Sequence, residues 1–506
     1  MILQKLLEGL CVKEISGNSK VEMRGVAYDS RLVKKDFVFV GVRGFSVDGH
    51  SYIKDAISRG ATAIVGENAV DKTVVKELAT QQQCTYVEVA DSRKALALIS
   101  DTFYGHPSKS LSMIGITGTN GKTTTSYITK SIIEANGKSA GLIGTICYMT
   151  GESTTAAVNT TPESLDLQMY LSAMVSNNMN YAVVEVSSHA LALKRVESCS
   201  FNVAAFTNFS QDHLDFHKTM DEYFEAKRGL FKYLDSGGYA VLNADDHAIM
   251  NLADKLDCNV ITCGTGNRAM LRAENIKEYR EDISGQMPGK IPGMSFDVKT
   301  PDGTIPVESE FMGRFNVNNI LMSVGIAYAL GISSDVIRQG IRSTRHVDGR
   351  FEKIDEGQNF LCIVDYAHTE DALEKLIEAA RPVTTGRVIT VFGCGGDRDI
   401  TKRPHMGMVA TELSDFVIIT SDNPRSESPE VIVRDIVGGI KKSNFKVQHD
   451  RAEAIKEAVM MAEKGDTLLV AGKGHEDYQD INGIRYHFSD KEILRNEIRG
   501  MLKVNK

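Results

Sequence analysis

A glycine-rich stretch at residues 115–125, GITGTNGKTTT, has the composition of a phosphate-binding loop. Glycines let backbone N–H groups turn toward phosphates, and a helix that starts directly afterwards adds the positive end of its dipole. Lys122 could then reach the β- and γ-phosphates of a nucleotide, and Thr123 could ligate Mg²⁺. The spacing departs from the common pattern, because Ile116 stands five residues before Gly121, where a glycine is usual. A chance glycine turn is the alternative, but strand, loop, Lys-Thr pair and helix are in register, which favours a nucleotide site.

Two polar residues in the middle of the chain follow apolar runs that predict strands. Glu185 comes directly after YAVV, and His213 lies in NFSQDHLDFH, beyond NVAAF. A carboxylate and a neutral imidazole near the phosphates could hold Mg²⁺, although magnesium prefers oxygen ligands. Each residue alone would be a solvated strand end or an ordinary loop histidine. Lys227, in DEYFEAKRGLF, lies on a predicted amphipathic helix, and composition alone makes it a solvated lysine.

Three clusters in the last third of the chain also follow predicted strands. They are GGDRD with Arg398, DNPR at 422–425, and AGKGHE with Gly472 and Glu476. Each could be a plain turn, since glycine and Asn-Pro sequences favour turns. If neighbouring strands bring the clusters together, two arginines (Arg398 and Arg425) and two carboxylates (Asp422 and Glu476) could hold a zwitterion.

The spacing of apolar runs predicts the elements that position these residues. Residues 1–107 alternate short strands with helical patterns, 108–345 run strand, loop and helix before a hairpin near 290–310, and 346–506 resume the alternation. We predict an α/β fold of three domains: a small N-terminal α/β domain, a central P-loop-type mononucleotide-binding domain with a mostly parallel sheet, and a C-terminal Rossmann-like α/β domain. Ligands of such sheets bind at the carboxyl ends of the strands, where each polar cluster falls.

Composition limits the classes of function. The chain has 506 residues, of which 42% are hydrophobic and 25% charged, as in ordinary globular proteins. A formal net charge of -8 disfavours a nucleic-acid-binding protein, and no run of about 20 apolar residues predicts membrane insertion. The eight cysteines form no C-x-x-C pair, so neither a zinc site nor a disulfide framework is predicted. We expect a reduced, cytoplasmic, monomeric protein.

The order of the motifs resembles the Mur ligase family over nearly the whole chain. The motifs are GTNGKTTT, NTTPES, EVSSHAL, QDHLDFH, EAKRGLF, GRFNVNN, DGRFE, DYAH, GCGGDRD, DNPR and AGKGHEDYQ. The resemblance implies ATP-dependent amide formation, in which a substrate carboxylate is phosphorylated to an acyl phosphate that an amine then attacks. It further implies UDP-MurNAc-L-Ala-D-Glu and meso-diaminopimelate as substrates, with residues 1–107 binding the UDP-sugar, 108–345 binding ATP and 346–506 binding the amino acid.

The resemblance also implies a role for individual residues. For ATP these are Gly118, Thr119, Asn120, Gly121, Lys122, Thr123, Thr124, Asn316, Asn319, Arg350 and Asp365. For Mg²⁺ they are Thr123, Glu185, His213 and a Lys227 carbamylated by CO₂, and the catalytic set is Lys122, Glu185, His213 and Lys227. For the UDP-sugar peptide they are Tyr28, Ser30, Phe45, Ser46, Val47, Asn159, Thr160, Thr161, Ser187 and Arg195. For diaminopimelate they are Arg398, Asp422, Asn423, Pro424, Arg425, Gly472 and Glu476.

Two positions depart from the family pattern, and three alternatives stay open. Leu193 stands where relatives often have glutamine, which puts one polar substrate contact in doubt, and Glu370 replaces a common proline. The alternatives are an L-lysine-adding enzyme, a ligase like folylpolyglutamate synthetase, and a non-enzymatic ATP-binding regulator. L-Lysine lacks the distal carboxylate of diaminopimelate, so a site with Arg425 should discriminate between the two amines.

Overall fold

The computed structural model describes residues 1–44, 47–67, 84–279 and 293–504. Within these ranges the strands form sheets of five, eleven and six strands in chain order, followed by a two-stranded hairpin. Helices cover the sheets, so the fold is α/β, as predicted. The sheets span residues 12–89, 112–309 and 352–471. The expected domain boundaries, after 107 and after 345, lie between sheets and stay a prediction.

The first sheet has the strand order β1-β5-β4-β3-β2. Its strands are β1 (Val12–Ser16), β2 (Gly25–Ala27), β3 (Phe37–Val40), β4 (Ala61–Gly66) and β5 (Thr85–Val89). Strand β1 pairs antiparallel with β5, and the other pairs are parallel. Helices Leu3–Leu6, Ile53–Ser58 and Ser92–Phe103 cover it, with short 3₁₀ turns at Ser30–Leu32 and Gly49–Tyr52. The apolar runs predicted β3, β4 and β5; β1 and β2 went unpredicted because β1 is largely exposed and β2 is short.

The second sheet has the order β16-β15-β14-β13-β12-β11-β6-β10-β7-β8-β9. Its strands are β6 (Ser112–Thr117), β7 (Ala140–Ile143), β8 (Cys147–Met149), β9 (Thr154–Ala156), β10 (Tyr181–Glu185), β11 (Phe201–Phe206), β12 (Leu234–Asn243), β13 (Asn259–Gly264), β14 (Leu271–Tyr279), β15 (Gly293–Thr300) and β16 (Gly303–Ser309). The centre is parallel from β7 to β14, and both edges are antiparallel. The β15–β16 pair confirms the predicted hairpin.

Alternating side chains of the central strands pack into two apolar cores, one on each face of this sheet. Ile114 and Ile116 face one core, while Met113 faces the other. The helices of this region are Lys122–Ala135, Ser164–Ser176, Ser188–Ala192, Leu214–His217, Met220–Arg228, His247–Met250, Phe315–Ala329 and Ser334–Ser343, with 3₁₀ turns at Pro107–Lys109, Gly229–Tyr233 and Ala253–Lys255. Because these strands run parallel, their carboxyl ends lie along one edge of the sheet.

The third sheet has the order β17-β18-β22-β19-β20-β21. Its strands are β17 (Glu352–Lys353), β18 (Leu361–Asp365), β19 (Val388–Phe392), β20 (Phe416–Ile419), β21 (Phe445–Val447) and β22 (Thr467–Ala471), and the hairpin is β23 (Tyr478–Ile481) with β24 (Ile484–His487). The helices are Glu370–Ala380, Lys402–Leu413, Pro429–Val437, Arg451–Met461 and Asp490–Val504, with a 3₁₀ turn at Arg381–Val383. All pairs are parallel except β17–β18 and the hairpin. No helix in the described parts of the chain is long and apolar enough to cross a membrane.

Candidate active site

The glycine-rich loop connects β6 to the helix Lys122–Ala135, as predicted from its sequence. Gly118 and Gly121 have φ angles of 146° and 82°, in the range that favours glycine. A Cβ atom at Gly118 would lie 1.9 Å from Thr207 Oγ1, and one at Gly121 would lie 2.2 Å from the side chain of Asn319. The loop therefore requires glycine at both positions, for its backbone angles and for its close packing.

Glu185 ends β10 and lies beside the start of that helix. Thr123 Oγ1 donates a hydrogen bond to Glu185 Oε2 over 3.0 Å. Thr145, which follows β7, donates from its hydroxyl to Oε2 over 2.9 Å and from its backbone N–H to Oε1 over 3.2 Å. Glu185 has no exposed surface, so neutral donors hold a buried carboxylate next to Thr123. The two residues predicted as metal ligands therefore lie side by side, and their role toward a metal stays a prediction; the sequence analysis missed Thr145.

Lys122 and Lys227 approach the same atom of the loop. Lys122 Nζ donates to the backbone oxygens of Gly118 and Thr119 over 2.8 and 2.9 Å, and Lys227 Nζ donates to that of Gly118 over 2.7 Å. Lys227 is only 1% exposed, which contradicts the expectation of a solvated lysine from composition alone. Burial, reinforced by Lys122, lowers the pKa of Lys227 well below its ordinary value. Desolvation also lowers the pKa of Lys122.

His213 belongs to a group of aromatic rings beside Lys227. Its ring lies 4.7 Å from that of His189 and 6.0 Å from that of Tyr223, and its Nε2 lies 3.3 Å from Asp212 Oδ2. Burial lowers the pKa of His213 well below its usual value, which keeps the imidazole neutral. Burial would raise the pKa of Asp212, but the cationic Lys402 and a hydrogen bond from the His213 backbone N–H help to hold it far below its usual range. Among the described residues, no three His, Cys, Asp or Glu side chains form a group that could hold a metal ion.

A cleft of about 1070 Å³ opens between the loop and the third sheet. Of the residues expected to bind ATP, those lining it are Asn120, Gly121, Thr123, Thr124, Asn319, Arg350 and Asp365. Gly118, Thr119 and Lys122 lie in the adjoining loop and do not line it. Asn316 is buried behind the wall, where its Oδ1 accepts a hydrogen bond from Asn319 Nδ2 over 2.8 Å. Asn316 therefore orients Asn319.

Arg350 links the third part of the chain to the phosphate loop. Its Nη2 donates to Thr123 Oγ1 over 3.1 Å, and its guanidinium lies 4.6 Å from the ring centre of Tyr366. Asp365 accepts backbone hydrogen bonds from Phe351 and Ala367 over 2.6 and 2.7 Å. Desolvation raises the pKa of Asp365. These contacts place a cation from just before β17 and a carboxyl group from the end of β18 in the lining of the cleft.

A second connection joins the helix Glu370–Ala380 to the loop. Asp371 Oδ2 accepts hydrogen bonds from Asn120 Nδ2 over 2.9 Å and from Ser210 Oγ over 3.4 Å. Asn208 brackets Asn120 from the other side, since its Oδ1 accepts from the Asn120 N–H and its Nδ2 donates to the Asn120 carbonyl, both over 2.8 Å. Asn208 from the second part of the chain and Asp371 from the third therefore both fix the position of Asn120 in the loop.

Most of the residues expected to bind the UDP-sugar peptide fall into two groups, of which the first lies where the first and second sheets meet. Tyr28 donates to Asp166 Oδ2 over 2.7 Å, while Arg195 donates to Glu163 Oε1 over 3.0 Å and to the Thr161 carbonyl over 2.8 Å. Burial, reinforced by hydrogen bonding to Asp166, raises the pKa of Tyr28.

The second group lies nearer to Glu185. Thr161 Oγ1 donates to the Glu185 carbonyl over 2.8 Å and lies 3.5 Å from Ser187 Oγ, and the hydroxyls of Thr160 and Thr145 are 3.1 Å apart. The Asn159 carbonyl accepts a hydrogen bond from the Tyr148 hydroxyl. In the first part of the chain, Ser30 is buried and Val47 is exposed. Phe45 and Ser46 lie outside the described residues.

The clusters expected to bind the amino acid do come together, because β22, β19 and β20 are neighbours. The Gly396 N–H donates to the Asn423 carbonyl over 2.9 Å, and Arg425 Nη1 donates to the Gly396 carbonyl over 2.6 Å. Asn423 Nδ2 donates to Glu476 Oε2 over 2.8 Å. A Cβ atom at Gly472 would lie 2.5 Å from Asp422 Oδ2, so this approach requires glycine.

Two members of this group differ in how firmly they are held. Pro424 is buried, and its carbonyl lies so close to Gly396 that a Cβ atom there would be 2.0 Å away. Arg398 is exposed, and its Nη1 donates only to the neighbouring Asp397 carbonyl over 3.0 Å. Arg398 is therefore the least constrained of the expected ligands.

Comparison with known proteins identifies the family. Family profiles match residues 22–104 (Mur ligase family, catalytic domain), 116–327 (Mur ligase middle domain) and 349–474 (Mur ligase, glutamate ligase domain). A Bacillus licheniformis protein described as UDP-N-acetylmuramoyl-L-alanyl-D-glutamate--2,6-diaminopimelate ligase is 43% identical over 505 residues, covering 98% of this chain and 99% of that protein.

The chain belongs to the Mur ligase family. A solved structure of a UDP-N-acetylmuramoyl-L-alanyl-D-glutamate--2,6-diaminopimelate ligase is 30% identical and covers 99% of both chains with a TM-score of 0.65. Mycobacterium tuberculosis folylpolyglutamate synthase, solved with ADP and AMPPCP, is 14% identical and covers 81% of this chain and 95% of that one with a TM-score of 0.61. The second likeness concerns the fold alone.

Four residues of this Mur ligase surround the predicted ligands and were missed in the sequence. Thr145, Asn208 and Lys473 each directly follow or lie close behind a strand, while Asp371 lies in the first turn of a helix. A polar residue just after a strand was an available signal for the first three. Asp371 had no such signal, because its contact with Asn120 crosses 251 residues.

Proposed function

We propose that this Mur ligase joins meso-diaminopimelate to UDP-MurNAc-L-Ala-D-Glu, using ATP and an acyl-phosphate intermediate. The observation that carries the proposal is the convergence of the three strand-end clusters, which places Asp422, Arg425 and Glu476 in one group. Such a group suits a molecule with an amino-acid head at each end. The relative at 43% identity bears the name of the same activity.

We propose that each part of the chain binds one substrate: residues 1–107 the UDP-sugar, 108–345 ATP and 346–506 diaminopimelate. Tyr28 and Arg195 lie where the first two parts meet, and the ATP cleft lies between the second and third. Two contacts join the second and third parts of the chain. One is the hydrogen bond from Asn120 to Asp371, and the other is an ionic contact in which Lys402 Nζ lies 3.7 Å from Asp212 Oδ1. Closure along this contact surface would keep water from the acyl phosphate. We expect the enzyme to work as a cytoplasmic monomer.

Two oxygen donors beside the phosphate loop suit Mg²⁺. Thr123 and Glu185 provide adjacent oxygen atoms, which magnesium prefers, while His213 offers a neutral nitrogen from a separate group of contacts. We assign Thr123, Glu185, His213 and carbamylated Lys227 to the metal. When bound, Mg²⁺ would neutralise charge on the phosphates and on the attacking carboxylate.

Lys227 is suited to carbamylation by its surroundings. Only a neutral amine attacks CO₂, forming an N–C bond and releasing one proton, and burial with Lys122 nearby favours the neutral form. The product carries a negative charge where the lysine was cationic. A carbamate would also relieve the repulsion between Lys122 and Lys227 at Gly118.

The chain's own residues would act in two chemical steps. First, the loop N–H groups and Lys122 hold the γ-phosphate in line with the D-glutamyl carboxylate, whose oxygen bonds to phosphorus as the bond to ADP breaks. Next, the amine of diaminopimelate attacks the acyl carbon, the bond to phosphate breaks and the amine loses a proton. Arg350, hydrogen-bonded to Thr123, places a second positive charge beside the reacting phosphate.

The test is phosphate release from ATP with UDP-MurNAc-L-Ala-D-Glu, comparing meso-diaminopimelate with L-lysine. We expect release only when sugar nucleotide and diaminopimelate are both present, with L-lysine far less active. Equal turnover with both amines would contradict the proposed specificity. Release with a folate substrate but not with the sugar nucleotide would identify a folylpolyglutamate synthetase, and ATP binding without any release would identify a regulator.

A further inference from the structure

Lys473 is a buried lysine between β22 and β23 that has no place in the ligand set proposed above. Its side chain is 0% exposed. The ammonium donates to the Tyr478 carbonyl over 2.6 Å and to Asn423 Oδ1 over 2.9 Å, and it lies 3.5 Å from Glu476 Oε2. A buried ammonium is costly unless each N–H has a partner, and here the three acceptors match its three donors.

These contacts determine which way the Asn423 carboxamide faces. Its Oδ1 accepts from Lys473 and from the Asp480 backbone N–H over 3.0 Å, while its Nδ2 donates to Glu476. With a neutral side chain at 473, the amide oxygen would lose its cationic donor. Asn423 could then rotate and leave Glu476 without its hydrogen bond.

Lys473 also balances negative charge in the same group. Burial and the neighbouring Asp422 raise the pKa of Glu476, and Lys473 opposes that rise. Burial would likewise raise the pKa of Asp422, but Lys473 and Arg451 hold it below its usual range. An ammonium group of a substrate is bound by an ionised carboxylate, so the charge state of Glu476 matters for recognition.

We propose that Lys473 is a positioning residue for the incoming amino acid, which holds Asn423 and Glu476 so that the Glu476 carboxylate faces a substrate ammonium group. The inference rests on the proposed function, because it assumes that an amino acid binds at this group. It goes further by assigning to Lys473, which is not a ligand in that proposal, the orientation of Asn423 and through it of Glu476.

The experiment compares Lys473→Met and Lys473→Gln with the full-length wild type. Lys446→Met is the matched control, since Lys446 lies in the same part of the chain and is half exposed in a surface pair with Glu457. Phosphate release is measured while ATP, sugar nucleotide and diaminopimelate are varied in turn. We expect the KM for diaminopimelate to rise at least about tenfold in both Lys473 variants, with the other two KM values changed less than about threefold.

The pH profile separates positioning from general destabilisation. The titratable and charged groups near Glu476 are Asp422, Lys473, Tyr366, Tyr478 and Arg451. Removing Lys473 raises the pKa of Glu476 further, so the acid limb of kcat/KM for diaminopimelate should move to higher pH. A merely structural role would lower the whole curve and leave the limb in place.

Several outcomes would overturn the inference. An unchanged KM for diaminopimelate, an unmoved acid limb, or equal losses for all three substrates would each do so. If neither variant binds ATP, Lys473 supports the fold as a whole and the inference also fails. Failure of the proposed function is distinguishable, because the wild type itself would then show no release that depends on diaminopimelate.

Discussion

Lys122 and Lys227 donate hydrogen bonds to the same carbonyl oxygen, that of Gly118, over 2.8 and 2.7 Å. Burial lowers the pKa of each, and the neighbouring charge of Lys122 lowers the pKa of Lys227 further. Lys227 is the more buried of the two and so the better candidate to lose its proton. The arrangement gives a physical reason for a neutral, reactive amine beside the phosphate loop.

Lys227→Ala should abolish phosphate release while ATP still binds, because the carbamate would be lost and the loop would remain. Added formate or acetate should partly restore the rate by supplying a carboxylate in the space. The measurement is phosphate release with and without the added acid, and with labelled bicarbonate the wild type should show a carbamate signal by NMR. A Lys227→Ala enzyme with full activity would remove Lys227 from the catalytic set.

The buried amine of Lys227 also predicts how the stability of the fold depends on pH. The pKa of Lys227 is lowered in the folded protein, so the unfolded chain binds more protons and this residue's contribution to stability rises with pH. The increase should run from the lowered folded value up to the unfolded value near 10.5. Urea unfolding of wild type and Lys227→Met across that range, in CO₂-free buffer so that the amine stays free, tests the sign. Parallel curves for the two proteins would contradict the lowered pKa.

Arg350→Lys should lower kcat at least about tenfold, although the charge is kept. Arginine donates to Thr123 through Nη2 while its planar guanidinium lies over the ring of Tyr366, and the single ammonium of lysine cannot make both contacts in this geometry. Phosphate-release kinetics and ATP binding would be measured together, with Arg342→Lys, on an exposed helix position, as the control. Equal kcat values for Arg350→Lys and the control would show that only charge matters at this position.

Arg425→Ala and Arg425→Gly should both lose selectivity for diaminopimelate over L-lysine, because each lacks the guanidinium that would pair with the distal carboxylate. They should differ in stability. Arg425 has a φ of 52°, where alanine remains strained and glycine does not, so Arg425→Gly should be about 1 kcal/mol more stable than Arg425→Ala.

Selectivity is measured from kcat/KM for the two amines, and stability from urea unfolding. If the more stable variant, Arg425→Gly, also kept more of the selectivity for diaminopimelate than Arg425→Ala, Arg425 would only shape the loop. An equal decrease of kcat/KM for ATP, for the sugar nucleotide and for the amine would lead to the same conclusion.

Arg451→Met should destabilise the protein by about 3 kcal/mol, because it leaves Asp490 buried without its partner. The side chains of Arg451 and Asp490 are both 0% exposed and make two hydrogen bonds, of 2.8 and 2.7 Å. Adding Asp490→Asn should recover part of the loss, since no charge then remains buried. Lys442→Met, in the exposed pair with Glu412, should change the free energy of unfolding by less than about 0.5 kcal/mol. A double variant no more stable than Arg451→Met would argue against the uncompensated charge as the cause.

The local parts of the fold were predictable from the sequence. Apolar runs bounded by polar residues located β6, β10, β11 and β12, and the glycines at 118 and 121 marked a turn into a helix. These signals work because burial of both faces of a parallel strand and the φ angles of glycine are properties of a few neighbouring residues. Strands β13 and β14 were not predicted; in β14, burial falls off along the strand toward Tyr279, which weakens its apolar pattern.

The distant contacts were not predictable in the same way. The sequence by itself determined the phosphate loop, the α/β class, the strand-end clusters and the resemblance to Mur ligases. Only the tertiary structure decided that Lys227 is buried against Gly118, that Asp371 reaches Asn120, and that Lys473 fixes Asn423 and Glu476. The physical reason is that burial and charge state depend on which elements pack together, and strand order sets that packing across hundreds of residues.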